Sequence, residues 1–130
     1  MIVVDASAIV EVLVARRPAS ELIDVIREDL AAPHLIDVEV MSVLRGLSLA
    51  GKLDDFGAAS ARHNFMSLAI DRHGFEPYAE RVWALRHGLT SYDASYVALA
   101  EALDVELVTC DKKLLAPSHR ARVRFVPAAR

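Results

Sequence analysis

Ile2-Val3-Val4-Asp5-Ala6-Ser7 decides the fold class. Three consecutive β-branched residues are too short a run for a helix and suit a strand buried on both faces. Asp5-Ala6-Ser7 then supplies capping residues that lead into an amphipathic stretch, Ala8 to Ala15. A strand that passes at once into a helix is half of a βαβ unit, and the rest of the chain repeats the alternation.

Working outward, Pro18-Ala19-Ser20 opens a second helix through about Asp29, and Leu30-Ala31-Ala32 reads as a short strand. Leu35 to Leu49 places Ile36, Val40, Val43 and Leu47 on one helical face, with Gly51 as its stop. A helix from about Asp54 to Ser67 precedes a candidate strand, Leu68-Ala69-Ile70. Pro77 opens a helix carrying Tyr78, Val82 and Leu85, and Ser91 to Leu103 forms another. Glu106 to Thr109 reads as a strand, Asp111 to Leu115 as a turn or short helix, and Val123 to Val126 as the last strand. Short apolar strands alternating with helices predict an α/β fold with a parallel sheet. In such sheets ligands bind beyond the carboxyl ends of the strands, where strand order reverses.

Composition fits one domain spanning residues 1–130. The chain is 54% hydrophobic and 25% charged, which excludes intrinsic disorder, a collagen-like repeat and a disulfide-stapled miniprotein. Cys110 is the single cysteine and has no internal partner, so a reducing cytoplasm is the expected compartment. The longest apolar run is five residues, Tyr96 to Ala100, far short of a membrane span. The start, Met1-Ile2-Val3-Val4-Asp5, has no basic stretch ahead of the apolar one and does not read as a signal peptide. Net charge is −3, unevenly placed: residues 1–111 carry all 18 acids, whereas 112–130 carry only bases, Lys112, Lys113, Arg120, Arg122, Arg124 and Arg130. Such a basic end could contact a polyanion locally, or could simply be a solvated tail.

Four acids stand at strand ends or helix starts. Asp5 follows the first strand, and Asp111 comes within two residues of the end of the fourth. Glu39 lies in the first turns of the third helix, and Asp93 completes Thr90-Ser91-Tyr92-Asp93 at the head of a nearly all-apolar helix. Each has an ordinary explanation as a cap or a first-turn acid. Together, with only Lys112 as an apparent basic neighbour, they would repel one another in one cleft unless a hard divalent cation neutralised them. Oxygen-only ligation suits Mg²⁺ or Mn²⁺. Zinc is disfavoured, because His34, His63, His73, His87, His119 and Cys110 show no ligand spacing. A carboxylate site of this kind in an α/β protein points to phosphate chemistry.

The stretches Ile2–Ser7, Val38-Glu39-Val40, Leu89–Ala100 and Leu107–Leu114 resemble the PIN-domain ribonucleases, specifically the VapC type of toxin from type II toxin–antitoxin pairs. The resemblance runs through nearly the whole chain in the family's order, and the third and fourth stretches are its specific part. It maps the family's acidic quartet onto Asp5, Glu39, Asp93 and Asp111, with Ser7 and Thr109 as polar neighbours. It implies a three-layer α/β/α domain with a central, mainly parallel sheet, and Mg²⁺- or Mn²⁺-dependent endoribonuclease activity. Asp5 and Asp93 would be the central metal ligands and Asp111 would complete the set. Glu39 would bind metal directly, bind through water, or orient the attacking water. Hydrolysis by metal-activated water would leave a 3′-hydroxyl and a 5′-phosphate. The resemblance further implies a homodimer and a small cognate antitoxin. The stretches 8–15 and 35–49 are candidate partner surfaces or plain core faces, and Lys112, Arg120, Arg122 and Arg124 are candidate RNA contacts.

Three rival readings are open to test. A dehalogenase-like phosphatase would need a second Asp where Ser7 stands. A phospho-accepting receiver domain would need a strand-end Asp such as Asp71, and leaves Glu39 and Asp93 without a role. A PIN nuclease of RNA processing would share the quartet without the toxin partnership. Cys110 reads as a small strand-end residue rather than a nucleophile, since no His or Lys supports a thiolate there.

Overall fold

The computed structural model describes residues 1–129. Arg130, one of the six bases of the C-terminal segment, lies outside the described residues. Five strands form one sheet: β1 (Ile2–Val4), β2 (Leu30–Pro33), β3 (Ile70–His73), β4 (Leu107–Thr109) and β5 (Val123–Phe125). Their order is β3-β2-β1-β4-β5 and every pairing is parallel. The helices are α1 (Ala6–Val14), α2 (Ser20–Val25), α3 (Ile36–Leu49), α4 (Asp55–Ser67), α5 (Ala79–Ala84) and α6 (Ser91–Leu103).

The order dictates the layers. From β1 the chain steps outward to β2 and β3, then returns across the sheet to β4 and β5. Right-handed crossovers therefore put α1 to α4 on one face and α5 and α6 on the other. The packing agrees, with α1 against α3 and α4, and α6 against α5, β1, β2 and β4. This is a three-layer α/β/α arrangement. Strand order reverses between β1 and β4, so their carboxyl ends mark the expected binding edge.

Val3, Val4, Leu107 and Val108 are wholly buried at the sheet centre. On the far face every residue from Ala94 to Ala100 is buried, which explains why this helix is apolar all round. Gly51 ends α3 with φ of 72°, a left-handed geometry that a glycine adopts without strain. None of the helices among the described residues is long and apolar enough to cross a membrane.

Several boundaries differ from the sequence expectations. α1 begins at Ala6 rather than Ala8, because the Asp5 carboxylate itself caps it, accepting from the Ala8 N–H at 3.0 Å. The second helix stops at Val25, four residues before Asp29. The third strand is Ile70–His73, not Leu68–Ile70; Leu68 is the C-cap of α4. Pro77 sits in a 3₁₀ turn, Glu76–Tyr78, and the α-helix proper starts at Ala79. On α3 the core stripe is Ile36, Val40 and Leu44, whereas Val43 is 42% exposed and Leu47 only half-buried.

Candidate active site

Parallel register explains the centre of the site. Val4 pairs with Val108, so Asp5, the first residue past β1, lies level with Thr109, the last residue of β4. The Thr109 hydroxyl donates to Asp5 Oδ2 at 2.5 Å, and the Ser7 hydroxyl donates to Oδ1 at 2.7 Å. Thr109 Oγ1 also accepts from the Asp111 N–H, and Ser7 Oγ from the Cys110 N–H, both at 2.9 Å. Ser7 and Thr109 thus tie α1 and the loop after β4 to one carboxylate. Asp5 is 6% exposed and fixed by three donors.

Asp93 is set by its helix start. The Thr90 hydroxyl accepts from the Asp93 N–H at 3.1 Å, one half of a capping box, which leaves the Asp93 carboxylate turned to other use. Glu39 projects from α3 and accepts from the Tyr96 hydroxyl at 2.7 Å. Asp111 caps the 3₁₀ turn Lys112–Leu115, accepting from the Lys113 N–H at 3.0 Å.

All four acids line one cavity of about 900 Å³. Burial pushes the carboxyls of Asp5, Glu39 and Asp93 above the ordinary carboxylate range, and their mutual repulsion adds to it. Asp111 acts on Asp5 and Asp93, and Asp5 and Asp93 act on Glu39. Lys113 offsets this weakly at Asp93. Burial likewise pushes the Cys110 thiol up to about 11, so it is a poor thiolate, as its sequence context implied.

The donor set is carboxylate and hydroxyl oxygen, with no imidazole among the lining residues, which suits a hard dication such as Mg²⁺ or Mn²⁺. As the side chains stand, no three His, Cys, Asp or Glu among the described residues close into a finished ligand cage. The carboxylates instead surround open space, the arrangement expected of acids that repel one another.

The remaining candidates lie elsewhere. Arg122 pairs with Asp104 at 2.7 Å, Arg124 pairs with Glu106 and reaches Glu21, and the Arg120 N–H donates to Glu101. Lys112 stands over the Phe125 ring, 5.8 Å from its centroid. None of the four lines the cavity. Asp71 lies within the edge strand β3, also away from the cavity, which removes the support for a receiver reading.

Three features escaped the sequence reading. Tyr96 is the partner of Glu39. Val43 and Leu47, expected in the core, follow Glu39 along α3 at helical spacing and form a cavity wall. Arg16 and Arg17, directly after α1, line the same cavity. Adjacency of the two bases at the end of an amphipathic helix was their only sequence signal.

Comparison with known proteins gives a consistent picture. The PIN domain family profile matches residues 2–119. Ribonuclease VapC9 of Mycobacterium tuberculosis is 44% identical over 114 residues, covering 88% of each protein. A crystal structure of a protein from Pyrobaculum aerophilum superposes with a TM-score of 0.71 at 29% identity, over 94% of this chain and 81% of that one. A toxin–antitoxin complex from Klebsiella pneumoniae contains a chain of the same fold, with a TM-score of 0.66 at 22% identity, over 95% of this chain and 96% of that one.

Proposed function

The chain belongs to the PIN domain family, and on that premise we propose that it is a Mg²⁺- or Mn²⁺-dependent endoribonuclease, the toxin of a toxin–antitoxin pair. The observation that carries this reading is the gathering of Asp5, Glu39, Asp93 and Asp111 around one cavity at the strand-order switch. Similarity to ribonuclease VapC9 supports the activity and the toxin role.

Asp5, Asp93 and Asp111 would hold the metal, with Glu39 holding it directly or through water, or orienting the attacking water. When bound, the ion would screen the phosphate charge and lower the pKa of water. The chain's own part is to fix the donors. Asp5 is immobilised by Ser7, Thr109 and the Ala8 amide, so its position is set before substrate arrives. Tyr96 does the same for Glu39. The reaction is in-line hydrolysis of an RNA phosphodiester, leaving a 3′-hydroxyl and a 5′-phosphate. It takes place in the cytoplasm, in a homodimer silenced by a small antitoxin lying on the half-buried flank of α1 and the exposed flank of α3. Likeness to one chain of a toxin–antitoxin complex supports the partnership.

The test is RNA cleavage by the purified protein with Mg²⁺ or Mn²⁺ against EDTA, beside Asp93→Asn. Induced expression followed by mapping of new RNA 5′ ends then identifies the substrate. Cleavage indifferent to both EDTA and Asp93→Asn would refute the assignment.

A further inference from the structure

The cavity is much longer than a metal site. Its volume of about 900 Å³ lies near the top of the range for whole small-molecule pockets, roughly 300 to 1,000 Å³. Its floor is one face of α1, on which Ser7, Val10, Glu11 and Val14 follow each other at helical spacing. Its wall is the α3 stripe of Glu39, Val43 and Leu47. The acids stand at the start of α1, and Arg16 and Arg17 stand just past its end. The interval from Asp5 to Arg16 spans roughly 16 Å at about 1.5 Å per residue.

The two arginines are exposed, and neither takes part in an ion pair among the described residues. Arg72, Arg81, Arg122 and Arg124, by contrast, are held by acids, and of the described arginines outside such pairs Arg16 and Arg17 are the ones that line the cavity. A guanidinium presents a planar fork of donors that matches phosphate oxygens in pairs. The groove therefore offers carboxylates at one end, apolar side chains along the middle, and two uncommitted guanidinium groups at the other.

We propose that Arg16 and Arg17 bind backbone phosphates of single-stranded RNA away from the bond being cut, so that the α1–α3 groove holds the strand along the helix axis. This rests on the ribonuclease reading and adds the substrate's path to it. A strand with its cleaved phosphate at the acids would run over Val10, Val14, Val43 and Leu47, whose apolar surface suits sugar and base faces, and meet the arginines further on. An acidic protein segment would match the arginines but would then face Glu11, Glu39 and Asp5 along the same groove. Phosphates can recruit cations against such carboxylates, which a peptide carboxylate does far less well, and this favours RNA.

The experiment measures binding of a fluorescently labelled single-stranded RNA across a monovalent salt series in EDTA. Every protein carries Asp93→Asn, which prevents cutting and relieves repulsion. Arg16→Gln/Arg17→Gln is compared with the parent and with a control of equal charge, Arg27→Gln/Arg62→Gln. The expected result is binding weakened at least several-fold in the first pair only. Its log–log salt slope should be shallower by about 1.4, two contacts at about 0.7 each on a single strand. Equal effects of the two pairs, no effect of either, or no binding by the parent at low salt would each overturn the proposal. An unchanged RNA affinity alongside weaker antitoxin binding would overturn it too, and would give the arginines to the protein partner. Failure of the ribonuclease reading is seen separately, as wild-type protein that cuts no RNA in Mn²⁺.

Discussion

The Tyr96 hydroxyl of α6 donates to the Glu39 carboxylate of α3 at 2.7 Å, joining helices from opposite faces of the sheet. Tyr96 is 2% exposed, so its ring is held by the core while its oxygen reaches the cavity. The contact gives Glu39 a fixed direction that its own flexible side chain lacks.

Tyr96→Phe tests this directly. The ring still fills its place, and the carboxylate loses its donor. RNA turnover should fall about tenfold, equivalent to about 1.4 kcal/mol, chiefly in kcat with KM little changed. Unfolding stability should change by no more than about 1.5 kcal/mol. Equal kcat for Tyr96→Phe and wild type would show that the orientation of Glu39 does not limit the reaction.

Thr109→Val removes a hydroxyl from the buried centre of the site at nearly constant volume. Asp5 Oδ2 loses its donor and the Asp111 N–H loses its acceptor. Two polar groups left unpaired there should cost about 2 to 4 kcal/mol, read from urea unfolding midpoints. Ser7→Ala should cost less, because Asp5 Oδ1 keeps the Ala8 amide.

The elements legible in the sequence are those whose local signal and final environment coincide. β1 and β4 lie at the sheet centre and read as apolar runs; α4 and α6 carry their own caps at Asp54 and Thr90. β3 was misplaced because it is an edge strand, Ile-Asp-Arg-His, whose pairing with β2 sets its register without an apolar run. Periodicity placed Val43 and Leu47 on one face with Val40 but could not say whether that face meets the core or a groove. The four acids were legible as a set because each stands at a strand end or helix start. Tyr96 was not, since its partner is 57 residues away and a tyrosine in an apolar helix looks like core.

Metal binding should appear in stability as well as activity. The unfolded chain has no assembled site, so an ion at one hundred times its dissociation constant should add about 2.7 kcal/mol to the folded state. Thermal melts with and without saturating Mn²⁺, at matched ionic strength, should show a clear upward shift for wild type and a much smaller one for Asp93→Asn. Without metal, Asp93→Asn should be as stable as wild type or more so, because it removes repulsion. Equal Mn²⁺ shifts in the two proteins would remove Asp93 from the ligand set.

Two groups of acids pull stability in opposite directions as pH changes. Asp5, Glu39 and Asp93 have carboxyls raised above their ordinary values of 3.8 and 4.5, so the metal-free folded state binds more protons than the unfolded chain in that window. Lowering pH from neutrality through their raised values therefore adds stability. Glu101 and Glu106 behave oppositely. The Arg81 guanidinium, donating to Glu101 at 2.7 and 2.9 Å, and Arg124 beside Glu106 hold these carboxyls below their ordinary 4.5. Their contribution is complete above 4.5 and is lost as pH falls through their lowered values. In EDTA the protein should thus be most stable on the acid side of neutrality, with a decline on either side. Urea midpoints over a pH series at constant ionic strength measure this. Asp93→Asn should flatten the limb toward neutral pH, and Glu101→Gln should flatten the acid limb. A wild-type midpoint that rises steadily from mildly acid to neutral pH would mean that the cavity carboxylates are not strained against one another.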